Sequence, residues 1–349
     1  MKPKLRILML TQYFYLRHRG GSEQSAYHLA HSLIKRGHKI SFGFSLRRRP
    51  DIIHIHSPSF LPMAIAISKL FNIPTVLTVR DYSLICPLGF CLWNKSTSCS
   101  LVEFLTGDMP TYAKFYPSHI LSPLLHVGVR LRSKILRYFA HQTNQIVCIS
   151  QAQARIFKAN GFKDLSVISN TTHFPVSQNV NRKKQIIFVG RLTPGKGADL
   201  LVSLADKLPP SYQLIVVGSG FLATKIRHSR IILTGQIDYQ QVLKLYRQVK
   251  LAIFPSRWPE PFGRGALEAI AAGTPVVTSN KGGLPEIVQN KYGLSVEPTP
   301  AKLAQAIDHV VAHHRRFTAA IAKDRPKLIY KFHTQPVNQY ETLYYRCLA

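Results

Sequence analysis

Acidic residues are scarce in this chain. There are 16 aspartates and glutamates among 349 residues, against 46 lysines and arginines, which leaves a formal charge of +30. The excess is no tail: residues 1–170 hold 22 basic and 6 acidic residues, and residues 171–349 hold 24 and 10. A uniformly basic chain is drawn to polyanions, whether anionic membrane, nucleic acid or phosphorylated substrates; adaptation for solubility is the plain alternative. Cysteine is scarce too. Five residues build no disulfide framework and fit a reducing compartment. Cys86, Cys91 and Cys99 lie close together. Their spacing matches no standard zinc pattern, so they read as buried or loop thiols, with a metal site or a regulatory disulfide as alternatives. Long apolar runs are missing: none reaches the ~18–20 residues of a spanning helix. The first run, Ile7 to Leu10, has strand length rather than that of a signal core. A cytoplasmic protein, peripheral to the inner face of the plasma membrane, is expected. Internal repeats and low-complexity segments are absent, and so is G-x-G-x-x-G, which argues against NAD.

What is there is a regular alternation. Leu5–Leu10 reads as a buried strand; a loop with Gly20 and Gly21 follows. Ser22 then caps a helix with apolar positions Ala26, Leu29, Ala30 and Leu33, ended by Gly37. Strands are expected at 52–55, 75–79 and 145–149, with helices between. The polar, aperiodic stretch 171–184 reads as a linker. Alternation then restarts, with strands at 186–189, 214–217, 231–233, 251–254 and 276–278 and clear helices at 240–248 and 265–272. Strict strand–helix alternation implies parallel sheets covered on both faces. The expected domains are 1–170, Rossmann-like and acceptor-side; the linker 171–184; 185–325, Rossmann-like and donor-binding; and a helical segment 326–349. Ligands of such sheets bind beyond the carboxyl ends of the strands.

The loops after strands carry the candidate residues. Pro255 to Glu268 reads PSRWPEPFGRGALE, placing two of the rare carboxylates, Glu260 and Glu268, eight residues apart. A helix entered through Pro261 presents unpaired N–H groups to a phosphate. Glu260 stands at its mouth, and Glu268, two turns in, is suited to a vicinal diol such as a ribose. The alternative is a pair of glutamates answering the helix dipole. After 186–189 comes GRLTPGKG, where Arg191 and Lys196 suit a diphosphate. Gly218 follows the next strand in a tight turn, and SNKGGLPEIV (279–288) supplies Gly282, Gly283 and Glu286. In the first half His54 and His56 share one strand face, with packing as their default role, and Arg80 and Asp81 follow 75–79.

Taken together these stretches resemble glycosyltransferase family 4, the retaining enzymes of the GT-B fold. The likeness runs over nearly the whole chain and is strongest in FVGRLTPGKG, FPSRWPEPFGRGALEAIAAGTPVV and SNKGGLPEIV. It implies two doubly wound Rossmann-like domains facing across a cleft, with a C-terminal helix crossing back to the first. Tyr330, Phe332, Tyr340, Tyr344 and Tyr345 supply that helix with packing surface. By the same resemblance Arg191 and Lys196 hold the donor diphosphate, Glu260 contacts the transferred sugar and Glu268 the ribose. Pro261, Phe262 and Gly263 lie against sugar and phosphates, and Gly20 and Gly21 close on the donor from the other domain. Many members carry histidine directly before the aspartate; here that residue is Arg80, so a histidine contact to the sugar does not carry over.

The implied activity is retaining transfer of a hexose from a nucleoside-diphosphate-sugar to a hydroxyl acceptor, a cell-surface polysaccharide or lipid-linked glycan precursor. Arg191 and Lys196 neutralise the leaving diphosphate, so neither a cofactor nor a divalent metal is required. A related epimerase or phosphorylase, or a basic polyanion-binding protein, is the alternative. Evenly spread charge without a reader motif argues against specific nucleic-acid binding. Residues 121–142, with Leu124, Leu125, Val127, Val129, Leu131, Ile135, Leu136 and Phe139 among Arg130, Arg132, Lys134 and Arg137, read as a basic amphipathic helix. Such a helix suits an anionic membrane surface or packs on the sheet.

Overall fold

The computed structural model describes residues 3–11, 21–43, 49–86, 123–172, 174 and 181–349. Two compact units divide the described residues, the first formed by those up to 172 and by 330–349, the second by those from 174 to 329.

The described strands of the first unit are β1 (Arg6–Leu10), β2 (Lys39–Phe42), β3 (Ile52–Ile55), β4 (Thr75–Val79), β5 (Gln145–Cys148) and β6 (Leu165–Val167). They form one parallel sheet in the order β2-β1-β3-β4-β5-β6. The central strands IIHI and TVLTV are buried at every position, as a sheet covered on both faces requires. Helices α1 (Gly21–Lys35), α2 (Leu61–Phe71), α3 (Pro123–Ala140) and α4 (Gln151–Ala159) connect them. Helix α1 starts one residue before Ser22, the expected cap. Ser150 does cap α4, accepting from the Gln153 amide.

The second unit repeats the plan with β7 (Lys183–Val189), β8 (Gln213–Val217), β9 (Ile231–Gly235), β10 (Val249–Phe254), β11 (Val276–Ser279) and β12 (Gly293–Val296), parallel in the order β12-β11-β10-β7-β8-β9. Its helices are α5 (Leu201–Ala205), α6 (Tyr239–Gln248), α7 (Arg264–Ala271), α8 (Leu284–Val288), α9 (Pro300–Ala312) and α10 (His314–Ile329). Asp238 and Gln241 close a reciprocal cap at the start of α6. The core joins Ile186, Phe188, Leu214, Val216, Leu251 and Ile253 of the strands to Leu303, Ile307 and Val310 of α9.

Pro326 inside α10 removes a helix hydrogen bond. A π-helical turn, Tyr330–Thr334, follows before α11 (Gln335–Leu348). Helix α11 belongs to the first unit, where Val337, Tyr340, Leu343 and Tyr344 pack with Leu29 and Leu33 of α1 on Ile7, Met9, Ile52 and Val76. The tyrosines also answer buried polar groups. The Tyr344 hydroxyl lies 2.7 Å from His54 Nδ1, His54 Nε2 lies 2.8 Å from Thr78 Oγ1, and Tyr340 is 2.9 Å from that same Oγ1.

The strands match the expected ones, with three additions. β2, β6 and β12 are all edge strands, short and mostly half-exposed.

Candidate active site

In the second sheet the chain leaves β7 towards β8 and β9, then returns to β10 on the other side of β7. The carboxyl ends of β7 and β10 therefore flank a topological switch point, where open sheets bind ligands. A cavity of about 140 Å³ lies there, lined among others by Val189, Lys196, Ser256, Glu260, Gly263 and Arg264.

Three loops build it. The first follows β7 and ends in the 3₁₀ turn Pro194–Lys196. Gly197 (φ +73°) completes the turn so close to the loop after β10 that a Cβ would lie 2.1 Å from the Pro255 carbonyl oxygen. The Gly195 carbonyl accepts from the amides of Arg257 and Trp258 at 3.0 and 3.3 Å. This stitching delivers Lys196 to the second loop. The third loop follows β11: Gly282 (φ +62°) packs so that a Cβ would lie 2.2 Å from the Glu260 carbonyl oxygen, and the Gly283 amide donates to that oxygen at 2.7 Å.

Glu260 is thus buried and fixed by its backbone. Its Oε1 accepts from Lys196 Nζ at 2.6 Å, Ser256 Oγ at 2.6 Å and Trp258 Nε1 at 2.9 Å. The ammonium also stands over the Trp258 ring, 5.1 Å from its centroid. Burial acts to raise the Glu260 carboxyl pKa, but the Lys196 charge and the three hydrogen bonds outweigh it and hold the group below the usual carboxylate value.

Helix α7 starts at Arg264, with Gly263 as its N-cap at φ +94°. The expected entry through Pro261 is corrected: Pro261 and Phe262 are buried in the loop, and the left-handed Gly263 bars helix before it. Glu268 therefore sits just over one turn into the helix. Its Oε1 accepts from Arg264 Nε at 2.6 Å and from the Tyr239 hydroxyl at 3.0 Å. Burial disfavours the Arg264 charge, but Glu268 and Tyr239 raise its pKa above the ordinary guanidinium value. A cation at a helix start opposes the dipole, and the ion pair across one turn offsets this.

Lys196, Glu260 and Gly263 of the expected residues thus line one cavity. Arg191 follows β7 and is exposed; Gly218 follows β8 and donates its amide to the Gly235 carbonyl at 2.9 Å. Neither Arg191, Gly218, Pro261, Phe262 nor Glu268 is among the lining residues. Ser256, Trp258, Arg264 and Tyr239 carry site contacts that sequence reasoning did not assign. Arg264 had a signal in its i,i+4 spacing to Glu268; Tyr239 had none, lying 29 residues away.

In the first unit Gly21 opens α1, while Gly20 lies outside the described residues, as do Cys91 and Cys99. Cys86 is a buried free thiol. His54 and His56 share a face, their ring centroids 3.9 Å apart. Both are buried. His56 Nδ1 lies 3.0 Å from Arg80 Nη2, and Arg80 Nη1 donates to Asn170 Oδ1 at 2.7 Å. Among the described residues no group of three or more His, Cys, Asp or Glu could hold a metal ion, and no helix is long and apolar enough to cross a membrane.

Comparison with known proteins agrees with this architecture. The family model for glycosyl transferases group 1 matches residues 169–325, and that for glycosyltransferase family 4 matches residues 43–172. Glycogen synthase of Mycobacterium tuberculosis is 28% identical over 326 residues, covering 86% of this chain and 71% of that protein. Among solved structures, Anabaena HepE in complex with UDP and glucose superposes with a TM-score of 0.70 at 18% identity, covering 97% of this chain and 99% of that one. Sucrose-phosphate synthase from Thermosynechococcus elongatus superposes with a TM-score of 0.73 at 17% identity, covering 98% and 99%. Two parallel six-stranded sheets, matched in turn by two adjoining models from residue 43 to residue 325, place the chain in glycosyltransferase family 4, among the glycosyltransferases of the GT-B fold.

Proposed function

We infer that the protein transfers a hexose from a nucleoside-diphosphate-sugar to a hydroxyl group of a glycan or lipid-linked acceptor, with retention at the anomeric carbon. The observation that carries this reading is the pairing of part-exposed Lys196 with buried Glu260 in the cavity before α7. An ammonium has three N–H donors. One serves Glu260, leaving two for phosphate oxygens, and the Gly265 amide at the start of α7 adds a further donor, those of Ala266 and Leu267 being taken by the Gly263 carbonyl. Arg191, exposed on the same loop, swings onto the diphosphate as a second cation.

Charge develops on the β-phosphate as its bond to the anomeric carbon breaks, and fixed cations stabilise it without reorganisation. The acceptor oxygen bonds to the carbon on the face the phosphate leaves, and the acceptor proton passes to the departing phosphate oxygen. Glu260, held ionised, accepts from sugar hydroxyls through the oxygen it turns to the cavity. Glu268 accepts from the ribose through Oε2, its Oε1 being taken by Arg264 and Tyr239. Gly263 lets the backbone lie against the phosphates, and Pro261 and Phe262 back the sugar. Gly218 borders the nucleoside, and Gly20 and Gly21 approach from the first domain. The domains proposed are 1–170 for the acceptor and 185–325 for the donor, joined by 171–184. With the charge neutralised by protein cations, the reaction needs no cofactor or divalent ion.

The test is a panel of nucleotide-sugars screened by thermal shift, followed by proton NMR of the product with the stabilising donor. Diphosphate release that needs both donor and acceptor, and a product with the donor's anomeric configuration, are expected. An inverted product overturns retention; release that ignores the acceptor overturns transfer.

A further inference from the structure

Helices α2 and α3 of the first unit run side by side in the same direction. Arg132 Nη2 donates to Ser59 Oγ at 2.9 Å just before α2, and Lys69 Nζ donates to Gln142 Oε1 at 2.5 Å beyond the end of α3. Both pairs are 73 residues apart, so the helices keep one register over this length.

Each helix has two faces, and the outward one is wrong for water. On α3, Ser133, Leu136 and Ala140 are buried, so Leu136 takes the packing alternative. The outward stripe is Leu131, Ile135 and Tyr138, which are 55%, 44% and 66% exposed. On α2, Leu61, Ala64 and Ile65 face inward. Met63, Leu70 and Phe71 are 41%, 76% and 40% exposed, and Ala66 is exposed beside them. Spacings of three, four and seven residues repeat on both helices, so each of the two neighbouring helices presents an exposed apolar stripe. Of the 12 large apolar side chains that are exposed among the described residues, six lie on this pair of helices. Lys69, Arg132 and Lys134 are exposed around the stripes. No aspartate or glutamate occurs in residues 52–80 or 109–163.

We propose that this face is a docking surface for an anionic phospholipid bilayer: the apolar stripes enter the headgroup boundary while the surrounding cations meet lipid phosphates. Apolar side chains ringed by one sign of charge are the surface such an interface binds. A second copy of the chain is the poorer occupant, because a two-fold contact would bring two wholly basic faces together. The proposal is independent of the transfer chemistry. It would bring the first unit to the plane where a lipid-linked acceptor presents its hydroxyl.

Vesicle co-sedimentation tests it, with phosphatidylcholine alone and with about 30 mol% phosphatidylglycerol as the anionic lipid. Binding to the anionic vesicles alone is expected, with loss at high salt as the screening length falls from about 10 to about 3 Å. Each cation near the surface contributes a factor of about five, so Lys69→Gln/Arg132→Gln/Lys134→Gln should lower partition about a hundredfold. Leu70→Gln/Leu131→Gln/Ile135→Gln should also release the protein. The control Lys207→Gln/Arg315→Gln/Lys323→Gln removes equal charge from exposed positions of the second unit and should change partition by less than about threefold, since none of its cations belongs to α2 or α3. Equal loss in both charge triples would assign binding to diffuse net charge and overturn the proposal. So would equal binding to neutral vesicles, binding to neither, or a dimer that the apolar triple dissolves.

Discussion

Replacing Lys196 by methionine isolates the interaction on which the proposed donor site rests. The ammonium lies 2.6 Å from Glu260 Oε1. At an effective dielectric constant of 20, charges about 3 Å apart attract by about 5–6 kcal/mol. Two features reduce the loss. The Lys196 side chain is 24% exposed, so solvent screens part of the attraction. Ser256 and Trp258 still donate to the carboxylate. The net cost is about 2–3 kcal/mol at neutral pH, below the ~3–5 kcal/mol of a fully buried broken pair. For a unit of this size that lowers Tm by about 5–10 °C.

The pH dependence makes the test specific. In the wild type the folded Glu260 pKa is depressed, so its contribution is full above the unfolded carboxylate value and is lost as pH falls through the folded one. Without Lys196, burial dominates and raises the pKa. The ionised carboxylate then penalises the fold at neutral pH, and the penalty lifts as the group takes a proton. The Tm gap between wild type and Lys196→Met should therefore narrow between pH 7 and pH 4. Lys196→Met/Glu260→Gln should recover most of the loss at pH 7. Trp258, packed under the ammonium, reports unfolding by fluorescence. A pH-independent gap, or a double variant as unstable as the two single losses added, would refute the reasoning.

Other outcomes follow from the same geometry. Glu268→Ala should weaken nucleoside-diphosphate binding by about 1.5–3 kcal/mol through the lost charged acceptor, and isothermal titration checks it; unchanged affinity removes the ribose role. Gly282→Ala, whose Cβ would lie 2.2 Å from the Glu260 carbonyl oxygen, should lower both Tm and kcat by moving Glu260, whereas Gly128→Ala, with open space around it, should leave Tm unchanged or raise it slightly. Buried His54 and His56 have pKa values well below the free imidazole value, through burial first, then Arg80 for His54, and His54 followed by Arg80 for His56. Below pH 6.5 the unfolded chain takes up protons that the folded one refuses. Stability should then fall by about 1.4 kcal/mol per pH unit for each histidine, and His54→Gln/His56→Gln should flatten that slope in denaturant titrations.

The central architecture was legible because buried parallel strands announce themselves. After their first residue RILML and QLIVV are unbroken apolar runs, and TVLTV is four-fifths β-branched; only a doubly covered sheet needs such strands. The three unread strands lie at sheet edges, where one side lacks a neighbour. KISF and LSV are short and nowhere fully buried, so no run marks them. The end of the chain was readable for a related reason. Five aromatics in 326–349 exceed what a surface helix needs, and Phe332, Tyr340 and Tyr344 are buried while Tyr330 stays 56% exposed.

The two carboxylates show where reading from spacing stops. Position along a chain gives the face of a helix, but not which loop closes on which. From spacing, Glu260 stands at the mouth of a helix and Glu268 two turns into it, with no cation named for either. In the fold they answer different cations: Glu260 meets Lys196, which lies 64 residues earlier and arrives only because Gly197 lets two loops touch. Glu268 meets Arg264 of its own helix and Tyr239 of the one before. The first pair crosses loops and lines a cavity, so a ligand phosphate can share its ammonium. The second pair is locked within helix packing, so it can orient a ligand but has little freedom to follow a moving charge. On that ground the proposed mechanism assigns the developing negative charge to the Lys196 side of the site and binding of the part that does not react to Glu268.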